Sequence, residues 1–413
     1  MKHLLLIVTL FLSFNCFSQY SYYPKNEIKF LKKLVDDKID AKIDILSKNY
    51  KKEKKEILKS RHEYLELKIN DSTFIKQDKL QGIVTNVLKN IGDKNPDLNI
   101  NNKTILLNSD YYPNAGSFGF NLFQINIGLF ALLESEDELA FIICHELAHE
   151  VLNHFDKGVE KSANLFDLNK GIIKSKKTLA KSNRTEKMKI LKNMIFQNQH
   201  LSKKHEIEAD SLGMVFFKNT IYKRSAAVSA LQKLELTNNQ FFDTKINWEK
   251  EFGISYGSLL NTTTLFNNRI IDKDFIIDSD SVKSHPDIPI RIAKITSEKI
   301  NLSKKNFKYD EIQLLAIHTY LDYAKKHHII PIALYINLQL KKQYPEKDIY
   351  NQNLINLMDA TYKLKKSHRL GKHVQMTDYY SKDKNLNEIF NFLHELELYQ
   401  IKKIKSHLSI NQQ

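Results

Sequence analysis

Residues 145–154 read HELAHEVLNH, which sets His145 and His149 four positions apart with Glu146 between them. On a helix, residues i and i+4 share a face, so both imidazoles can reach one metal ion while the glutamate projects beside it. This H-E-x-x-H spacing belongs to zinc hydrolase chemistry, and it needs a helix. The flanking residues predict one. Ser135 and Glu138 form a capping box, and Leu139, Ile142, Ile143, Leu147, Val151 and Leu152 recur at helical spacing, so the helix is expected to be half buried.

A catalytic zinc takes three protein ligands and keeps one position for water, so a third donor must come from elsewhere in the chain. EIEADSLG, residues 206–213, supplies Glu206 and Asp210 one helical turn apart. Glu206 can bind the metal while Asp210 hydrogen-bonds a ligand histidine. Glu208 is expected to point away from that face.

With these two segments in place the chain resembles the M48 metallopeptidases. Four blocks carry the resemblance in order: NAGSFGFNLFQINIGLF at 114–130, EDELAFIICHELAHEVLNH at 136–154, EIEADSLG at 206–213 and SHPDIPIRI at 284–292. The resemblance implies one zinc ion per chain, with His145, His149 and Glu206 as ligands, Glu146 as general base and Asp210 supporting a ligand histidine. It places Arg291 as a supporting residue. It leaves His285 as either a further ligand that closes the site or a loop cap before Pro286. Zinc would polarise a peptide carbonyl and lower the pKa of its water from about 15.7 toward about 7. Glu146 would take the proton and hand it to the leaving amine. Residues 120–127 are rich in aromatic and β-branched types and read as a strand. As an edge, Phe120, Asn121, Leu122, Phe123, Gln124 and Ile125 would pair with an extended substrate, giving broad specificity toward unfolded segments.

The start of the chain points to export. Lys2 and His3 precede the apolar run Leu4–Phe14, too short for an ordinary membrane span and suited to a secretory signal. Cys16 and Ser18 stand at the minus-three and minus-one positions of a cut before Gln19, so residues 1–18 read as a signal peptide and the destination as periplasm or envelope. Asn15 fits a lipid-attachment signal at Cys16 poorly. After such a cut only Cys144 remains, so no disulfide within the chain is available, and no later run approaches the roughly 20 apolar residues of a membrane helix.

Net charge is +15, from 63 Lys plus Arg against 48 Asp plus Glu. The densest basic run, residues 48–61, interleaves glutamates at helical spacing and reads as a solvated helix, so no nucleic-acid partner is expected. The expected fold class is α+β and mainly α, a zincin-like core with a small antiparallel sheet. Residues 19–69 read as a helical segment, 70–303 as the M48-like peptidase domain and 304–413 as a helical region. That last region is weakly similar to tetratricopeptide repeats and could hold a protein partner in the envelope. The Lys-rich stretch 155–204 could cover the cleft or complete a bundle. Protein or peptide substrates follow from the peptidase reading; a closed, metal-stabilised binding or chaperone module is the alternative.

Overall fold

A computed structural model describes residues 21–174, 203–240, 242–255, 288–296, 311–376 and 383–410 of the 413-residue chain. These residues divide between two compact units. The first takes the described residues up to Leu234 with Ile288–Ile295 and residues 311–319. In chain order it contains β1 (Ser21–Tyr22), α1 (Lys25–Asp44), α2 (Lys51–Asn70), β2 (Phe74–Lys76), α3 (Asp78–Lys94), β3 (Thr104–Asn108), β4 (Ala115–Gly119), β5 (Leu122–Asn126), α4 (Ile127–Leu132), α5 (Glu136–Val151), α6 (His154–Lys174) and α7 (203–218).

One small sheet among many helices matches the expected α+β, mainly α class. The sheet has the order β1-β2-β3-β5-β4 and is mixed rather than wholly antiparallel. β3 and β5 run parallel, from Thr104 opposite Leu122 to Asn108 opposite Asn126, and the other pairings are antiparallel. The reason is local. Phe120 and Asn121 both have positive φ, 58° and 60°, which is the signature of a two-residue type I′ hairpin. That turn joins β4 to β5 tightly, and the hairpin docks on β3 through its second strand.

The predicted substrate strand is corrected by this topology. Phe120 and Asn121 are the hairpin turn, while Leu122, Phe123, Gln124 and Ile125 lie in β5 between β3 and β4. A strand with neighbours on both sides has no free backbone edge to offer. Among the described residues β4, not β5, ends the sheet on this side. Aromatic and β-branched content marks a strand, but strand content does not reveal a strand's neighbours.

Leu31, Val35 and Ile39 of α1 and Leu65 and Ile69 of α2 pack with Phe74, Leu106, Phe118 and Leu122 of the sheet in one buried cluster. Leu106 alternates with Ile105 and Leu107, which are also buried, so β3 is covered on both faces. The basic run 48–61 leads into α2 as a mostly exposed helix. Lys54 is the exception: it is buried, pairs with Glu160 of α6 and donates to Ser47 Oγ at 2.7 Å.

α5 begins as predicted. The Ser135 hydroxyl accepts from Glu138 N at 3.3 Å, but the Glu138 carboxylate reaches Glu134 N, at 2.7 Å, instead of closing the box on Ser135. The helix is more deeply set than an amphipathic stripe implies. Leu139 to His145 is buried without interruption, because Ala140, Cys144 and Ala148 let neighbours approach on the supposedly solvated side; Val151 is exposed. Phe141 meets Phe217 of α7 edge to face at 5.7 Å.

The second unit takes the described residues 235–255 and those from Tyr320 onward. Helices Ser225–Gln240 (α8) and Glu311–His327 (α11) each contribute one part to either unit. Between them in the chain come α9 (Trp248–Phe252) and α10 (Ile288–Ile295), and α12 (Ile330–Gln343), α13 (Ile349–Lys366), α14 (Lys384–Glu395) and α15 (Leu398–Ile410) follow. Trp248 stacks on Phe392 at 4.1 Å, and Asn351 donates to the Leu408 carbonyl at 2.8 Å. α14 and α15 are separated at Leu396, the C-cap of the first.

Candidate metal centre

Three chain segments build the site. α5 presents His145 and His149 one turn apart, α7 presents Glu206 and Asp210 one turn apart, and α10 adds Arg291. The two long helices approach each other closely at Gly213, where an added Cβ would lie 2.9 Å from His145 Cα and 3.0 Å from His145 N. A glycine there removes the side chain that would hold the helices apart.

The donor atoms converge. His145 Nε2 and His149 Nε2 are 3.0 Å apart, Glu206 Oε1 is 3.4 Å from His149 Nε2, and Glu206 Oε2 is 3.6 Å from His145 Nε2. Tetrahedral zinc with bonds of about 2.0–2.1 Å spaces its ligand atoms about 3.3 Å apart, so this set fits one such ion. The observed spread brackets that value. Two imidazoles and one carboxylate are also a donor set that suits zinc.

Behind the donors sits a buried ionic group. Asp210 is fully buried and accepts from Arg291 Nε and from a terminal guanidinium nitrogen, both at 2.7 Å, a bidentate pair. Its Oδ1 lies 3.0 Å from His145 Nδ1, a close electrostatic approach that is bent out of hydrogen-bond line. Arg291 also comes within 3.6 Å of Glu206 Oε2. Burial alone would raise the Asp210 pKa, but the Arg291 hydrogen bonds and then His145 outweigh it and hold the carboxyl below its usual range. Burial likewise pushes His149 down, and Glu206, Glu146 and Asp210 together turn that into a net rise. Glu146 is half-buried beside these groups, near enough to act electrostatically on His149 and Arg291.

Several predicted residues are thus brought together: His145, Glu146, His149, Glu206, Asp210 and Arg291. Arg291 is buried rather than an ordinary surface charge. His285 lies outside the described residues, as do the signal segment and the central part of 155–204. Sequence reasoning missed His154, His205, Glu208 and Glu150. Glu208, expected to point away, faces His154 Nε2 at 3.1 Å. His154 Nδ1 in turn lies 2.9 Å from His149 Nδ1, and its ring stacks on His205 at 4.0 Å. Burial first, then the neighbouring His205 and His149, lowers the His154 pKa to about 4 and keeps it neutral. The signal for His154 was present but oblique. Five residues beyond His149 it would leave the shared face of a continuous helix, and only the left-handed turn at Asn153, φ 54°, swings it back. Glu150 accepts from Ser117 Oγ and from Asn121 N, both at 3.0 Å, and so ties the metal helix to β4 and the hairpin turn.

No curated protein and no solved structure matches the chain. The model of peptidase family M48 matches residues 75–299, more than half of its length and the whole of the site just described. The chain belongs to peptidase family M48, a family of metallopeptidases.

Proposed function

We propose that this protein is an exported zinc metalloendopeptidase that cleaves unfolded or misfolded envelope proteins. The single observation that carries the reading is the convergence of His145 Nε2, His149 Nε2 and the Glu206 carboxylate at 3.0–3.6 Å from one another, beside a half-buried Glu146. His145, His149 and Glu206 would hold one zinc ion. The ion, when bound, supplies a Lewis acid that polarises a peptide carbonyl and acidifies water. Glu146 accepts the proton from the attacking water and delivers it to the departing amine nitrogen. Asp210 orients His145 through Nδ1, and Arg291 keeps Asp210 ionised. His285 acts either as an additional ligand that closes the site or as a loop cap before Pro286.

The substrate's binding edge follows from the corrected topology. Among the described residues β4 ends the sheet and a Cβ built on Gly116 meets nothing within 4 Å, and β4 is tethered to α5 through Ser117 and Glu150. An extended peptide adds to β4 through backbone hydrogen bonds, which read little sequence and suit unfolded chains. Residues 1–18 serve as the export signal, 19–69 buttress the sheet, 70–303 form the peptidase domain and 304–413 offer a helical surface to an envelope partner. No described helix is long and apolar enough to cross a membrane.

Purified chain lacking residues 1–18 tests this on an unfolded protein such as casein. Cleavage is expected from wild type and absent from Glu146→Gln, with zinc content equal in both. Equal cleavage by the two, or a wild type that binds zinc and cleaves nothing while His285→Ala releases no activity, overturns the peptidase reading in favour of a metal-stabilised binding module.

A further inference from the structure

We propose that His154 and Glu208 are positioning residues for the metal centre: Glu208 holds His154, and His154 holds the imidazole of His149 in the tautomer that can bind a metal. This rests on the metallopeptidase reading and adds two residues to it.

Proton positions along the three side chains are fixed one by one. A neutral imidazole has one N–H and one lone pair. His149 Nε2 faces His145 Nε2 and Glu206, so it must keep its lone pair toward the metal. Its proton is then on Nδ1, which lies 2.9 Å from His154 Nδ1. That atom must accept, which moves the proton of His154 to Nε2, and Nε2 lies 3.1 Å from the Glu208 carboxylate. Every donor meets one acceptor along the chain His149, His154, Glu208, and shifting any one proton leaves two donors or two lone pairs facing each other. Metal-ligating histidines characteristically give their second N–H to a carboxylate or carbonyl, which fixes ring orientation and raises ligand basicity. His145 meets Asp210 directly, whereas His149 reaches its carboxylate through a second imidazole.

The fold explains why these residues meet. Asn153 in the left-handed region reverses the chain between α5 and α6 and turns His154 back under His149. α7 carries Glu206, Glu208 and Asp210 within five residues, one carboxylate for the metal and one for each ligand histidine's support. His154 is buried, and His205 lies flat against it with an interplanar angle of 9°, which hinders ring rotation.

His154, His205 and Glu208 also have donor atoms within 4.8 Å of one another, close enough to suggest a second ion. Their geometry disfavours it. Parallel rings 4.0 Å apart aim their lone pairs side by side rather than at one point. Both nitrogens of His154 are already engaged, one by His149 and one by Glu208.

The test uses the mature full-length chain as wild type, Glu208→Gln, Glu208→Asp and His154→Phe, with helical content checked by circular dichroism. Zinc stoichiometry is measured directly, zinc affinity by competition with a chromogenic chelator, and the ligand N–H groups by proton NMR of the cobalt-substituted protein. Expected are one zinc per chain, an affinity loss of about 10–100-fold in Glu208→Gln and His154→Phe, and partial recovery in Glu208→Asp. One exchangeable, hyperfine-shifted imidazole N–H signal should shift or broaden in Glu208→Gln, a change that loosened packing alone does not produce. Because Glu208 is partly exposed, Glu208→Gln keeps the test sound if His154→Phe fails to fold. Unchanged affinity and unchanged N–H signals in a folded Glu208→Gln overturn the inference. So does a second zinc in wild type that disappears in Glu208→Gln. The peptidase reading fails separately, by a zinc-loaded chain that does not cleave either as wild type or as His285→Ala.

Discussion

Asp210 and Arg291 show how much a buried residue's role depends on its partner. The aspartate is fully buried, and two guanidinium hydrogen bonds at 2.7 Å compensate its lost hydration. Removing one partner of such a pair leaves an uncompensated charge, which costs about 3–5 kcal/mol. Arg291→Met should therefore destabilise the metal-free protein by that amount in urea unfolding, and metal-free conditions keep ligand loss out of the comparison. The pH dependence follows from the same contact. The folded-state pKa of Asp210 is depressed, so its stabilising contribution is complete above the unfolded value of about 3.9 and is lost as pH falls through the lower folded value. The urea midpoint of metal-free wild type should hold steady down to about pH 4 with respect to this group and fall below it. In Arg291→Met the carboxyl loses the partner that depresses its pKa while burial still raises it, so this acid-side loss should shrink or reverse.

Between elements, the decisive contact is where α7 crosses α5. Gly213 sits 2.9 Å, measured from a built Cβ, from the backbone of the very residue that offers the first imidazole. Backbone cannot swing aside as a long side chain can, so Gly213→Ala must push the helices apart. Glu206 and Asp210 ride on the same helix and would move with it. The expected result is a fall in zinc affinity of at least about tenfold, the size seen when supports of ligands are displaced, read by chelator competition. Gly82 provides the comparison: among the described residues nothing lies within 4 Å of its built Cβ, and it stands in α3, which carries none of the site residues. Gly82→Ala should leave zinc affinity unchanged and raise stability slightly, since alanine is favoured over glycine within a helix.

Across the first unit, a bound ion would fasten α5 to α7, whose ligands stand some sixty residues apart in the chain, with residues 175–202 outside the described structure. Anything that binds only the folded chain stabilises it by mass action, about 2.7 kcal/mol at one hundred times the dissociation constant. Chelation should therefore lower the thermal midpoint of wild type, and zinc should restore it in a concentration-dependent way. In His149→Ala the chelator should have little effect, because two remaining donors bind poorly. A calorimetric series with and without zinc checks both.

What was legible in the linear chain was what depends on spacing along one helix. His145 with His149, Glu206 with Asp210, and the Ser135 cap are each separated by three or four residues, and helical geometry alone places them together. The helical fold class was legible for the same reason, since burial repeats with the period of the backbone. Four features were decided only by the tertiary structure. β5 became an inner strand because a two-residue turn with two positive φ angles folded β4 outside it. Arg291 became a buried partner because its short helix meets α7 at Asp210. His154 reached His149 because the chain reverses at Asn153, and Glu208 met His154 across 54 residues of sequence. Periodicity records which residues share a face, but it carries no record of which faces meet, because that choice is made by packing between segments that are distant in the chain.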